Sequence, residues 1–191
     1  MMYDTATSVT LPEARSVIGK VMYKALAVSR PLRMKMYVRQ VKFGAWVLNS
    51  FCSHERRIRL EKIIAQCVPG MIGYEVRQFM AINGFQFVPR CEGHDFKHVL
   101  LGFESEPFDE MRMEAFTYGN TGVTLTSFII YAMFLPYVPE IWLELPKYYQ
   151  VGKVVGSITQ YPIEELAVMD LHTFRVSVGL QGSVKDMVKG L

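Results

Sequence analysis

Apolar and polar positions along this chain recur at helical spacing, and the breaks between them carry helix-end chemistry. Thr10-Leu11-Pro12-Glu13 has the form of a capping box with Pro in the first turn. It predicts a helix to about Val28, with Val17, Val21 and Met22 on one stripe and Pro31 just beyond its end. Residues 32–49 interleave Arg33, Lys35, Arg39 and Lys42 with Met34, Met36, Val38, Val41 and Phe43. That pattern fits helix or strand and is read as helix. Ser53 can cap a helix ending before Pro69, with Ile58, Leu60, Ile63 and Ile64 apolar. Gly70 or Gly73 opens another, from Tyr74 to about Ile82, closed by Asn83-Gly84. Gly93 precedes the densest polar stretch, where helices are predicted over 94–101 and 107–118. Val123 to Tyr149 is apolar and interrupted by Pro136, Pro139 and Pro146. Tyr161-Pro162-Ile163-Glu164-Glu165-Leu166 places Pro just inside a helix start with acids in its first turn. Residues 172–180 fit a short strand or a helix end. The sum is an all-α fold: one helical domain over residues 1–191, with the pair at 94–101 and 107–118 at its centre.

Composition narrows the class. Half of the 191 residues are apolar, which excludes a disordered chain. The formal net charge of +3 implies no large acidic partner by itself. Cys52, Cys67 and Cys91 form no CxxC pair, so neither a disulfide framework nor a thiolate zinc knuckle is expected, and a reducing, cytoplasmic setting is. No basic segment precedes Arg15, so neither a signal nor a transit peptide is expected. The longest unbroken apolar run, Phe128 to Leu135, has eight residues. A bilayer span takes about 20, so this run is read as core.

Four residues carry candidate chemistry: His94, Asp95, His98 and Glu110. His94 and His98 are four apart, so on a helix both imidazoles share a face, with Asp95 on its edge. Glu110 is twelve residues beyond His98, which on one continuous helix would be about 18 Å away. Gly102 can end the first helix and Ser105-Glu106-Pro107 can start the next, so a helical hairpin returns Glu110 to His98. Glu114, a turn later, is the substitute candidate, and Cys91 is a conceivable fifth ligand that is read as packing ahead of the helix. Two imidazoles and two carboxylates suit Zn2+, Fe2+ or Mn2+ rather than Cu(I) or an iron–sulfur cluster. The metalloprotease motif H-E-x-x-H does not fit, because its second residue here is Asp95. A phosphohydrolase of the His-Asp type would have to enlist His54 and Asp170, which nothing specific ties to the pair.

The segment His94-Asp95-Phe96-Lys97-His98, with Glu110 after eleven further residues, resembles the H-D-x-x-H-x11-E signature of the coenzyme Q biosynthesis protein 4 family. His98-Val99-Leu100-Leu101-Gly102 is similar to that family's H-V-L-x-G continuation. Arg77-Gln78-Phe79-Met80 with Asn83-Gly84-Phe85 resembles its R-x-F-M and N-G-F segments, and Pro162 to Leu166 its P-x-x-E-L segment. The likeness spans roughly residues 74–170. It implies a mostly helical, membrane-associated protein holding a divalent metal, zinc first, through His94, Asp95, His98 and Glu110. It further implies a role in ubiquinone synthesis: removing the C1 carboxyl of a polyprenylated hydroxybenzoate, or holding polyprenyl lipid while docking other quinone-biosynthesis enzymes. A homo-oligomer is expected. Lys97 departs from the family, where an aromatic residue is common, and the N-terminal third and residues 172–191 have no counterpart.

Two further features bear on partners. Residues 30–62 hold nine of the 21 Lys and Arg, opposed only by Glu55 and Glu61. Mixed with Met, Val, Phe and Trp46, they predict peripheral contact with an anionic membrane surface. Nucleic acid is not expected, because the aromatics form no stacking platform. The Met and aromatic residues of 123–149 are read, with the family resemblance, as lining for an isoprenoid tail.

Overall fold

The computed structural model describes residues 17–123, 125–180 and 182–191. The capping box at Thr10 to Glu13 lies outside them. Ten α-helices follow in order among the described residues: α1 (Val17–Phe51), α2 (Glu55–Gln66), α3 (Ile72–Asn83), α4 (Glu92–Leu101), α5 (Pro107–Thr121), α6 (Leu125–Phe134), α7 (Leu145–Val154), α8 (Ile163–Ala167), α9 (Leu171–Ser177) and α10 (Val184–Lys189). Two 3₁₀ turns, Leu135–Tyr137 and Pro139–Ile141, join α6 to α7. No strand is present among the described residues, so the all-α expectation holds, and residues 172–180 resolve to a helix and its end.

The first boundary differs from expectation. α1 does not stop before Pro31 but runs through it to Phe51. Proline deletes one helical hydrogen bond at a cost of about 3 kcal/mol. Side chains stiffen this turn instead. The Leu26 carbonyl accepts from Ser29 Oγ (3.1 Å) and from Arg33 Nη2 (3.0 Å). Arg33 also forms a buried two-point ion pair with Glu140 and donates to the Tyr137 carbonyl. Tyr37 packs on Phe134 with ring centroids 4.8 Å apart. α1 is therefore tied to the α6–α7 connection by a face that periodicity alone does not single out.

Within the body, α5 and α7 cross backbone against backbone. A Cβ on Gly119 would stand 2.0 Å from the Tyr149 carbonyl oxygen, and one on Gly152 would stand 2.1 Å from that of Phe116. Asn120 seals the crossing, donating to the carbonyls of Gly152, Val155 and Gly156 and accepting from the Ile158 amide. Leu60, Ile72, Val76, Leu101, Met111 and Phe116 fill the core between the helices. Arg77 of α3 donates to the carbonyls of Ile64 (3.1 Å), Ala65 (2.8 Å) and Cys67 (3.4 Å), closing the C-terminal end of α2. Among the described residues no helix is long and apolar enough to cross a membrane.

Candidate metal centre

α4 ends as its sequence predicts. Gly102 takes the left-handed conformation (φ 75°), and the amides of Gly102 and Phe103 both return to the His98 carbonyl (2.9 and 3.0 Å). Five residues after Gly102, Pro107 opens α5. Asn83 steadies this turn by accepting from Ser105 Oγ at 2.8 Å. The hairpin returns Glu110 to both histidines.

Glu110 spans the pair. Its Oε2 lies 2.9 Å from His94 Nε2 and its Oε1 3.2 Å from His98 Nε2. One ligand atom from each of His94, His98 and Glu110 falls within 4.8 Å of the other two. His98 is deeply buried, whereas the His94 side chain keeps 37% of its exposure. The cluster is thus closed behind and open in front.

The hydrogen bonds fix the tautomer of His98. Its Nδ1 lies 3.3 Å from the Phe103 carbonyl, which can only accept. Nδ1 therefore donates to that carbonyl, and Nε2 is the ring nitrogen that faces Glu110. An imidazole nitrogen and a carboxylate oxygen 3.2 Å apart hold a positive charge between them, either a proton or a metal ion. Phe79 stacks on the His98 ring (centroids 5.0 Å, planes 19° apart) and restricts its rotation. This second-layer support is characteristic of metal-ligating imidazoles.

The electrostatics agree. Burial alone would raise the Glu110 carboxyl, but His94 and then His98 overcome it and hold the group well below the usual carboxylate range. Burial likewise opposes charge on His94, but Glu110 and Asp95 override it and raise the imidazole well above its ordinary value.

The other candidates fall outside the trio. Asp95 Oδ1 lies 3.8 Å from His94 Nδ1, beside that ring and away from Glu110. Glu114 is buried and faces the Lys97 ammonium at 4.0 Å. Cys91 precedes α4 without joining the cluster, and burial pushes its thiol up. His54 Nε2 meets the Asn49 carbonyl, and Asp170 caps α9 by accepting from the Thr173 amide. Glu114 leads away toward an apolar groove of about 490 Å³ lined by Tyr118, Tyr131, Leu135, Trp142, Leu145 and Tyr149, among others. Tyr131 of that groove is pushed up to about 12 by burial first, then by Tyr118 and Glu114.

Sequence reasoning missed the bracing of this centre. Arg175 of α9 donates to the carbonyls of Leu100 (2.9 Å) and Val99 (2.8 Å), capping α4 from a helix far along the chain. Lys185 of α10 pairs with buried Asp109, whose carboxylate also accepts from the Glu104 amide (3.0 Å) and from Arg112 (3.0 Å). A Cβ on Gly102 would meet Ser183 Cβ at 2.7 Å. α9 and α10, which fall almost wholly in the 172–191 stretch read as having no family counterpart, thus pack around the turn that ends α4. Phe79 and Asn83 had a signal, since both lie in the quoted R-x-F-M and N-G-F segments. Arg175 had none.

No family model matches the sequence, and no curated protein matches it. Among solved structures, the chain is similar to a "putative ubiquinone biosynthesis protein" from Nostoc punctiforme, at 20% identity and a TM-score of 0.51. The match covers 64% of this chain and 68% of that one. At that identity the likeness speaks for a shared fold.

Proposed function

We propose that this chain binds one divalent cation, zinc in the first instance, through His94, His98 and Glu110, with Asp95 at the margin. Its role is in the synthesis of a ubiquinone-type quinone, where it removes the C1 carboxyl of a polyprenylated hydroxybenzoate. The observation that carries this reading is the three-donor cluster with a fixed His98 tautomer and a half-open His94 face. Three protein donors leave a coordination position free, as catalytic rather than structural zinc sites do. The N,N,O donor set also accommodates Fe2+ or Mn2+.

When bound, the ion supplies Lewis acidity to the substrate's carboxylate and phenolate oxygens. The chain's own groups do the rest. Phe103 and Phe79 hold His98 in place. Lys97, three residues after His94, brings a cation beside the site for an acidic headgroup. The groove beyond Glu114 takes the apolar tail. The exposed cations Lys35, Arg39, Lys42 and Lys62 attach the protein peripherally to an anionic membrane surface.

Incubating zinc-loaded protein with a carboxyl-labelled polyprenyl hydroxybenzoate tests the reading. Labelled CO₂ should be released, and His98→Ala should abolish it. A second reading is a non-catalytic polyprenyl-lipid scaffold that docks quinone-biosynthesis enzymes. It draws on the exposed apolar residues of α1, among them Leu32, Phe43 and Trp46. Lipid binding with metal bound and no CO₂ release would select it.

A further inference from the structure

A second cavity, of about 320 Å³, lies where α2 meets the loop entering α4, lined by Ser53, Glu55, Arg56, Arg59, Arg90 and Glu92. None of the metal trio lines it. Its volume is at the small end for ligand sites, about 300–1,000 Å³.

The charges around this cavity are not used up by the fold. Arg56 is taken by Glu164 at 3.2 Å. Arg59 and Arg90 make no ion pair or hydrogen bond with a described residue, although both residues line the cavity. Glu92 is only 2% exposed, yet its carboxylate has no partner among the described residues. Its oxygens are not among the sealed, unpartnered side-chain atoms, so a donor in the cavity can reach them. Glu55, at the rim, is likewise unpaired among the described residues. Groups of both signs therefore face one space without closing on each other as ion pairs. A plain anion would satisfy the arginines and leave Glu92 worse off, and a plain cation would do the reverse. A ligand bearing both signs satisfies the whole lining. Two free guanidinium forks beside a third suit the several oxygens of a phosphate better than a single carboxylate.

We propose that this cavity binds a phosphate ester carrying an ammonium group, the phosphoethanolamine unit. The phosphate lies on Arg59 and Arg90, and the ammonium lies on Glu92 with Glu55 beside it. The unit occurs free and as the headgroup of phosphatidylethanolamine.

Heteronuclear NMR titration of the full chain with O-phosphoethanolamine, inorganic phosphate and ethanolamine tests the proposal. Phosphoethanolamine should bind about tenfold or more tighter than either fragment, and Arg59→Gln or Arg90→Asn should each weaken it about tenfold. Asn tolerates the left-handed backbone that Arg90 adopts (φ 70°), so that variant keeps the turn. Glu92→Gln should erase the preference over phosphate while phosphate binding persists. Circular dichroism of each variant, with Arg59→Lys as a charge-preserving control, separates lost binding from lost folding. Co-sedimentation with phosphatidylcholine vesicles, with and without phosphatidylethanolamine, distinguishes the sources. Extra binding that Arg59→Gln abolishes assigns the headgroup, and equal binding to both vesicles with intact solution binding assigns the free ester. Equal affinity for phosphate and phosphoethanolamine, or shifts unchanged in the arginine variants, would overturn the proposal. None of these readouts depends on the metal trio.

Discussion

The α4–α5 hairpin and α1 use charge in opposite ways. In the hairpin, His94, His98 and Glu110 are turned toward one another across a tight turn, and burial makes each depend on the others. Along α1, cations and apolar side chains sit largely in solvent, and Arg33 alone is drawn deep enough to form a two-point ion pair, with Glu140. The first arrangement stores chemistry in a fixed geometry. The second stores adhesion in a surface and anchors it along one face, through Arg33 and Tyr37. An interaction within the hairpin should therefore be fragile to one substitution, whereas the α1 surface should fade by degrees.

His98→Ala should break this contrast most sharply. It removes the ligand with the best-defined tautomer, so bound zinc by elemental analysis should fall from about one ion per chain to near zero. Equal, near-zero metal in wild type and variant would remove the metal reading. Next in size is the α1 anchor. Arg33→Leu strands a buried Glu140 and should cost about 3–5 kcal/mol in denaturant melts, although Arg33 never approaches the trio. If that variant unfolds at the wild-type midpoint, α1 is held by apolar contacts alone.

Arg175→Leu probes the hairpin from behind. Two α4 carbonyls lose their donor, so stability should drop by about 1–3 kcal/mol, and zinc affinity should fall with it because His98 lies in the same final turn. Unchanged affinity would mean that α4 holds its ligands without the brace.

The pH response sharpens the same point. In metal-free protein the raised His94 value stabilises the fold fully below the unfolded imidazole value of about 6.5, and that contribution is lost as pH rises through the folded value. The lowered Glu110 value acts in the other direction, stabilising above about pH 4.3 and lost on acidification. Zinc needs the unprotonated ring, so the gap in Tm between zinc-loaded and chelated protein should widen from about pH 5.5 to pH 8. A gap that narrows would contradict the assignment of His94.

Per residue, the smallest effect belongs to α1. Changing Lys35, Arg39 and Lys42 to Gln should weaken co-sedimentation with anionic vesicles by about 1 kcal/mol per charge, with the remainder resisting salt. Arg33 is left out, because it is structural. If wild-type protein stays in the supernatant at low salt, the surface is only solvated.

The same contrast governs what could be read from the sequence. Helix ends that depend on neighbours in the chain were legible: Gly84 and Gly102 both adopt the left-handed conformation that ends a helix, and Pro107 opens one. The meeting of His94, His98 and Glu110 followed from those signals, because the turn between them is short. Pro31 misled, since the groups that stiffen its turn include Glu140 and Tyr137, which no local pattern connects to it. Burial of Asp109 was invisible for the same reason: a carboxylate on a helix reads as solvent-facing until a distant Lys or Arg closes on it. The spread of basic residues over 30–62 read as one surface, whereas packing turned Arg33 inward and gave Arg57 to Glu61.

The Arg175 contacts to Val99 and Leu100 also impose an order in time. A ribosome adds residues at about 5–20 per second, so both histidines and Glu110 leave the tunnel seconds before the guanidinium that caps their helix. During that interval the last carbonyls of α4 face water, and the helix can fray from the end that carries His98. Metal that meets the nascent chain meets a ligand set still able to come apart, whereas metal that meets the finished chain meets one already clamped. Exchange of the ion should accordingly be fast on the ribosome and slow after release.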